Sequence, residues 1–181
     1  MKSAPTIRLA TVADTASVMA VLAEATAWLE KEGMPMWMGD ELSPERITHE
    51  ITNGLFAVAE VEGETAGTVK FQLEDELFWP DQPRGEAAYV HRLAVKRAFA
   101  GGTISHALLA WAAVRARVLG RRYLRLDTDA ARPRLRAIYE RFGFQHHSDR
   151  QVGPYFVARY HLELSPLQSE AHEPGAAYPG K

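Results

Sequence analysis

The stretch from Ala87 to Tyr123 constrains the fold more than any other. Residues Ala87–Val95 read as a strand. Gly101-Gly102-Thr103 then leads into a long helix, with Ile104, Leu108, Trp111, Ala112 and Arg115 at helical spacing. The helix runs to about Leu119, Gly120 ends it, and residues 123–126 read as another strand. Strand, helix and strand in that order need a crossover connection, so the chain must build a sheet covered by helices. The flanks agree. Ile7 and Leu9 mark a short first strand, and residues Thr15–Lys31 form an amphipathic helix with Val18, Leu22, Ala25 and Leu29 on one face, stopped at Gly33. Ser43 caps a second helix with Pro44 at its first position. Residues 55–61 and 65–73 pair as a hairpin around Glu62-Gly63-Glu64. A helix over Pro133–Phe142 ends at Gly143, an extended segment begins at Phe144, and residues 156–164 form a last strand. The expected fold is therefore α/β (α+β): one mixed, mostly antiparallel sheet of six to seven strands flanked by helices. Residues 1–164 make the domain and 165–181, without apolar period, a loosely ordered tail.

Composition narrows function by exclusion. The chain has 21 Lys plus Arg against 23 Asp plus Glu, a net charge of −2, so the basic excess of a nucleic-acid binder is missing. Arg115, Arg117, Arg121, Arg122 and Arg125 cluster at a helix end, where arginine is favoured in any case, and Asp127 and Asp129 follow closely. Cysteine is absent, which excludes disulfides, thiolate nucleophiles and cysteine metal sites and fits a reducing cytoplasm, the expected location. No run of roughly 18 apolar residues suggests a bilayer span, and the opening MKSAPTIRLA lacks the apolar core of a secretion signal. His146 and His147 are adjacent on an extended segment and so face apart; His49, His106 and His161 share no helical spacing with them. No metal is expected.

The chemistry concentrates in Lys96-Arg97-Ala98-Phe99-Ala100-Gly101-Gly102-Thr103-Ile104-Ser105. A helix start presents free N–H groups at its positive dipole end, and small residues let a phosphate approach them. Lys96 and Arg97 would add full charge. The spacing is neither Gly-x-Gly-x-x-Gly nor Gly-Lys-Ser/Thr, so neither a dinucleotide nor a nucleoside triphosphate is favoured. By itself the segment reads equally as an anion cradle or as a flexible turn. In a regular strand Tyr89, His91, Leu93 and Val95 share one face, and histidine exchanges protons near neutral pH.

Arg92-Leu93-Ala94-Val95, the loop through Ser105, Leu108-Leu109 and the Tyr139…Gly143-Phe144 group together resemble the GNAT superfamily, acyltransferases that use acetyl-CoA. The resemblance covers roughly residues 6–164 and is most specific from 91 to 144. The family's pyrophosphate loop is Gln or Arg, two residues, Gly, one residue, then Gly or Ala. Gly101 matches the first glycine, Thr103 and Ser105 take the next small positions, and the Gln or Arg position falls on Ala98, beside Arg97. The resemblance implies that the amides of Gly101, Gly102, Thr103, Ile104, Ser105 and His106 hold the diphosphate. It also implies splayed strands in which Leu93, Ala94 and Val95 pair with the pantetheine arm. The implied reaction moves acetyl from acetyl-CoA, a co-substrate, to a primary amine by direct attack in a ternary complex. Tyr139 would protonate the thiolate and the Val95 N–H would hold the oxyanion. His91 is a candidate base, Tyr89 falls where some members carry a catalytic Glu, and Glu86 would act only through water.

The implied acceptor is a small-molecule amine or a peptide amino terminus. It would lie among Trp28, Met34, Met36, Trp37 and Met38, then Phe78, Trp79 and Tyr155, with Glu74, Asp75 and Glu76 nearby. Neither nucleic acid nor membrane is an expected partner. A homodimer through the last strands or apolar loops is compatible with the sequence, which carries no symmetric signature of one. The alternative is a catalytically silent acyl-CoA-binding or interaction module of the same fold.

Overall fold

The computed structural model describes residues 3–37 and 39–166. Strands β1 (Thr6–Leu9), β2 (Phe56–Val61), β3 (Glu64–Gln72) and β4 (Ala87–Val95) are joined by β5 (Tyr123–Asp129), β6 (Gln145–Val152) and β7 (Tyr155–Glu163). They form one seven-stranded sheet in the order β1-β2-β3-β4-β5-β7-β6. Every neighbouring pair is antiparallel except β4 and β5, which the crossover makes parallel. Helices α1 (Thr15–Lys31) and α2 (Pro44–Thr52) cover one face, where Val18, Val21, Leu22, Ile47 and Ile51 pack on Phe56, Val58 and Ala94. Helix α3 (Ile104–Val118) and Tyr139 of α4 (Pro133–Phe142) cover the other, against Val69, Phe71, Ala88, Val90, Leu124 and Leu126. Most of the expected tail, 167–181, lies outside the described residues, as does Met38.

Local signals place most elements within a residue. Ser43 caps α2 by accepting from the Arg46 N–H at 3.3 Å. One element departs: β5 continues to Asp129, three residues past its expected end, because β7 pairs along its whole length from Tyr123↔Glu163 to Asp129↔Val157. A second departure concerns α1. The segment Val12–Lys31 is long and apolar enough to span a bilayer by length and composition, at 20 residues and mean hydropathy 1.3. Asp14, Thr15, Ser17, Glu24 and Thr26 interrupt it, so it contains no unbroken apolar run of that length. In the fold its buried side, Val18, Val21 and Leu22, is core against the sheet.

A regular β4 would put Tyr89, His91, Leu93 and Val95 on one face. The structure corrects this. Arg92 is left-handed at φ 50, and the pairing with β3 jumps from Lys70↔His91 to Thr68↔Ala94, so Arg92 and Leu93 both oppose Val69. This β-bulge inserts one residue and reverses the alternation. Leu93 and Val95 consequently pack with the α3 cluster, while Ala94 joins the α1–α2 cluster.

The bulge is pinned by buried charge. Glu50 of α2 accepts from Arg92 Nη1 at 2.5 Å, from Lys70 Nζ at 2.7 Å and from Arg46 Nε at 3.3 Å. Glu50, Lys70 and Arg92 are all buried. Burial pushes the Glu50 carboxyl up, but the Lys70 hydrogen bond and the Arg92 charge outweigh it and hold it below its usual range. Burial likewise pulls the Lys70 and Arg92 values down against Glu50's attraction. Opposite Val95, Gly67 lets α3 descend onto β3: an added Cβ would lie 2.9 Å from the Ala94 carbonyl oxygen and 2.9 Å from Ile104 Cγ2.

Replacing Glu50 with Ala strands two buried cations and is expected to cost about 3–5 kcal/mol in urea unfolding; a loss below about 1 kcal/mol would remove the pin. Gly67→Ala is expected to cost about 1–3 kcal/mol, because backbone or the first turn of α3 must yield. An unchanged unfolding midpoint would mean the close approach relaxes freely.

Candidate active site

The parallel pair β4–β5 stays together for three rungs only: Ala87↔Tyr123, Ala88↔Leu124 and Tyr89↔Arg125. Beyond Tyr89 the strands fork, and the β5-facing edge of β4 has no strand partner up to Val95. An unpaired strand edge is a ready-made seat for an extended ligand. From the open end the chain passes through a turn at Arg97–Phe99 into Gly101, left-handed at φ +75 with open space around it, and then into α3. Among the described residues the amides of 101–106 donate to no backbone or side-chain acceptor, whereas Ala107 N–H already bonds Thr103. Thr103 does not cap the helix with its side chain. Gly101, Gly102, Thr103 and His106 are exposed. The His106 ring lies 4.9 Å from the Phe142 ring, tying this helix start to the end of α4.

The two flanking cations are not aimed at these amides. Lys96 Nζ donates to Glu64 at 2.9 Å. The Arg97 guanidinium stacks 4.3 Å over the Trp28 ring of α1, and its backbone N–H donates to Glu24 at 2.7 Å. The positive potential at the loop is therefore left to amides and the helix dipole, not to the side-chain charges the sequence suggested.

Tyr139 is buried in α4 and packs edge-on against Phe144 at 6.1 Å and obliquely on Tyr160 at 6.5 Å. Its hydroxyl makes no hydrogen bond among the described residues. Burial first, and then the Asp127 charge, push its pKa far above the phenol range, so it stays a proton donor. Tyr89 sits at the last paired rung, packed on Trp79 at 6.2 Å; burial raises its pKa despite a bond to Arg125. That placement suits packing beneath the fork better than proton removal. Ala94 is core, and Leu93 and Val95 are half-buried.

His91 sits at the apex of the fork, and there the structure brings to it two aspartates that the sequence did not link to it. His91 Nδ1 is 3.6 Å from Asp127 Oδ1 of β5, and Nε2 is 3.2 Å from Asp75 Oδ2 of the β3–β4 loop. Gln72 approaches Nε2 at 3.3 Å, and the Phe78 ring lies 6.3 Å away. Neither aspartate contact is a hydrogen bond, so both facing carboxylate oxygens are buried without a donor. Burial, with Asp75 adding to it and His91 opposing, pushes the Asp127 carboxyl up to about 6. Asp75, His91 and Asp127 are also the group of potential metal ligands in the described residues, their ligand atoms lying within 4.8 Å of one another. The carboxylates address different ring nitrogens, an arrangement that fixes the orientation of an imidazole. The adjacent pair His146 and His147 parts as expected, His146 onto Asp149 at 2.7 Å and His147 against Trp79 at 5.2 Å. His147 also meets the ring of His161, at 5.4 Å, a contact that sequence spacing did not signal.

The loop carrying Asp75 is latched. Asp81 takes two bonds from Arg159 of β7, at 2.6 and 3.1 Å, and buried Trp79 is flanked by the Arg125 and Arg159 guanidinium groups at 5.2 and 4.6 Å. Arg159 holds the Asp81 carboxyl far below the usual carboxylate range. Phe78 thereby stands between His91 and Tyr155, whose ring is 6.5 Å away and whose hydroxyl donates to Glu41 at 3.0 Å. Arg132 donates to the Met34 and Pro35 carbonyls at 2.8 and 3.0 Å, drawing the Met-rich loop to the same side. A cleft of about 340 Å³ lies beside the fork, lined by Glu74, Asp75, Glu76, Trp79, Arg84 and Tyr89 among others; it shares Asp75 and Tyr89 with the fork but not Leu93, Val95 or Tyr139. Arg84 pairs with Glu76, which leaves the cleft acidic.

Comparison with known proteins agrees with this geometry. Residues 22–144 match the profile of the Acetyltransferase (GNAT) family. The chain is 30% identical over 140 residues to a Bacillus subtilis protein called uncharacterized N-acetyltransferase YesJ, covering 73% of this chain and 77% of that one. In structure it resembles a GNAT-family acetyltransferase from Listeria monocytogenes, with TM-score 0.72, 25% identity and coverage of 88% and 95%. It also resembles the PaiA N-acetyltransferase of Thermoplasma acidophilum in complex with coenzyme A, with TM-score 0.70, 19% identity and coverage of 87% and 98%. A forked mixed sheet with a bare helix start at its open end defines an acyltransferase class of fold. The chain belongs to the GNAT family and is an acetyltransferase.

Unfolded, Asp127 titrates near 3.8, and folded, near 6. Between those values the folded chain holds the extra proton, so this group lowers stability as pH rises through the window, and its penalty is complete above about 6. Asp127→Asn is therefore expected to raise the unfolding free energy at pH 8, by on the order of 2–3 kcal/mol at most, with the gain vanishing towards pH 4. Denaturant unfolding of both proteins across that range checks it; a gain independent of pH would mean Asp127 does not titrate there.

Proposed function

We propose that this acetyltransferase moves an acetyl group from acetyl-CoA to a primary amine by direct attack in a ternary complex. The observation that carries the reading is the row of unclaimed amides at 101–106, set at the open end of the β4–β5 fork. Together they provide a diphosphate cradle and a strand-like seat for the arm that follows it. The coenzyme A in the Thermoplasma acidophilum neighbour supports the same ligand.

The residues take distinct parts. The amides of Gly101, Gly102, Thr103, Ile104, Ser105 and His106 hold the diphosphate; Arg97 reaches it only by leaving Trp28. The free edge of β4 at Leu93, Ala94 and Val95 aligns the pantetheine arm, and the Val95 N–H faces the developing oxyanion. Tyr139, kept protonated by burial, supplies the proton that the departing thiolate needs. His91 at the apex takes the proton of the incoming ammonium. The acceptor enters along Phe78 and Tyr155. The carboxylates of Glu41 and Asp75 and the neighbouring acidic cleft favour a cationic small-molecule amine or peptide amino terminus.

Thiol release from acetyl-CoA, measured across diamines, aminoglycosides, amino-acid esters and short peptides, tests the reaction. Tyr139→Phe is expected to lower kcat by at least about tenfold with CoA affinity by calorimetry unchanged. Equal losses in rate and affinity would make Tyr139 a packing residue. Tight CoA binding with no thiol release for any amine would favour a silent binding module.

A further inference from the structure

The site needs more than a histidine at the right place. A neutral imidazole must present its free nitrogen to the acceptor, hold that tautomer, and pass the proton on before the next turnover. Bases that work this way are oriented by a third group. At the apex two carboxylates flank one ring: Asp75 at Nε2 from the β3–β4 loop and Asp127 at Nδ1 from β5. Each has an oxygen buried without a hydrogen-bond donor, facing the cluster. Unpartnered buried carboxylate oxygens are costly, and Asp127 and His91 each stand two residues past the last paired rung, Tyr89↔Arg125. A fold with no use for them would be served by Asn at either position.

We propose that Asp127, with Asp75 across the ring, positions His91 as the base of the transfer. The inference rests on the acetyl-transfer reading above. The groups facing His91 are Asp75, Phe78, Gln72 of β3 and Asp127. Asp75 reaches the ring from the β3–β4 loop and Asp127 from β5, so the imidazole is held from two separate elements.

The steps balance. His91 accepts one proton from the ammonium, and the freed amine forms a C–N bond to the thioester carbonyl carbon. The C–S bond breaks and the thiolate takes the Tyr139 proton. The nitrogen loses its second proton as the amide forms. Of these two nitrogen protons, one makes good the proton Tyr139 gave up, and the other leaves to solvent. Asp75 lines the acidic cleft; Asp127 does not, and lies on β5 at the other ring nitrogen.

The test combines kinetics with nitrogen-15 NMR of the His91 ring in the full chain. With an amine that wild type acetylates, Asp127→Asn is expected to lower kcat by about tenfold or more, leave CoA affinity and the amine KM within about twofold, and displace the acid limb of the pH–rate profile. In the same variant the ring proton is expected to move from Nδ1 to Nε2, while stability at pH 8 does not fall. Asp75→Asn is expected to disturb Nε2 instead. A wild-type rate and pH profile in Asp127→Asn, or an unchanged His91 tautomer in an active enzyme, overturns the positioning role alone. Absence of thiol release by wild type on every amine overturns the transfer reading and this role with it.

Discussion

One inserted residue governs the architecture around the site. With Arg92 in the left-handed region, β4 carries two residues where β3 carries one, and the strand twists away from β5 just past the last parallel rung. Such backbone is held only where the surroundings over-determine it. Here Glu50 of α2 does so, gripping the bulged Arg92 and the Lys70 opposite His91 with a single carboxylate. The fork, the exposed edge of β4 and the placement of Leu93 and Val95 on the α3 side all follow from that dislocation. So does the separation of faces, which in the proposed reaction sets the diphosphate and thioester arm on the α3 side and the acceptor on the side covered by α1 and α2.

Charge is distributed to match. Buried ion pairs do little for net stability compared with well-packed apolar side chains, yet breaking one is severe. The Glu50 cluster is satisfied and rigid. The Asp75–His91–Asp127 cluster, by contrast, is left incomplete: its two facing carboxylate oxygens are buried without a donor, and burial pushes the Asp127 carboxyl up to about 6. The first network is a structural pin; the second is the one the proposed transfer uses. The latch of Trp79, Arg159 and Asp81 serves the second by making a long β3–β4 loop behave as a fixed wall, so that Asp75 returns to the apex without a strand to carry it there.

The loop at 101–105 was legible because its requirements are local: small residues, a helix start and exposed amides can all be read along the chain. The element order gave the layered sheet for the same reason. Tyr139 was legible as part of a recognisable group on one helix. The charge partners were not. Arg97 lies beside the loop in sequence but stacks on the Trp28 ring of α1, a residue 69 positions earlier that only the fold brings to it. His91 was visible as a candidate, but its neighbours come from residues 16 positions earlier and 36 later, brought in by a latched loop and by a strand longer than its local signal.

Sequence alone therefore settled the elements, the crossover, the anion-ready helix start and the family to which these residues point. Periodicity and capping report the backbone's own preferences, and those survive in the fold. Tertiary structure decided which face each β4 side chain takes, where the parallel pair comes apart, and that two aspartates converge on one imidazole. Each of these depends on register between segments far apart in the chain and on a buried carboxylate's hold over a left-handed residue, which no local window contains.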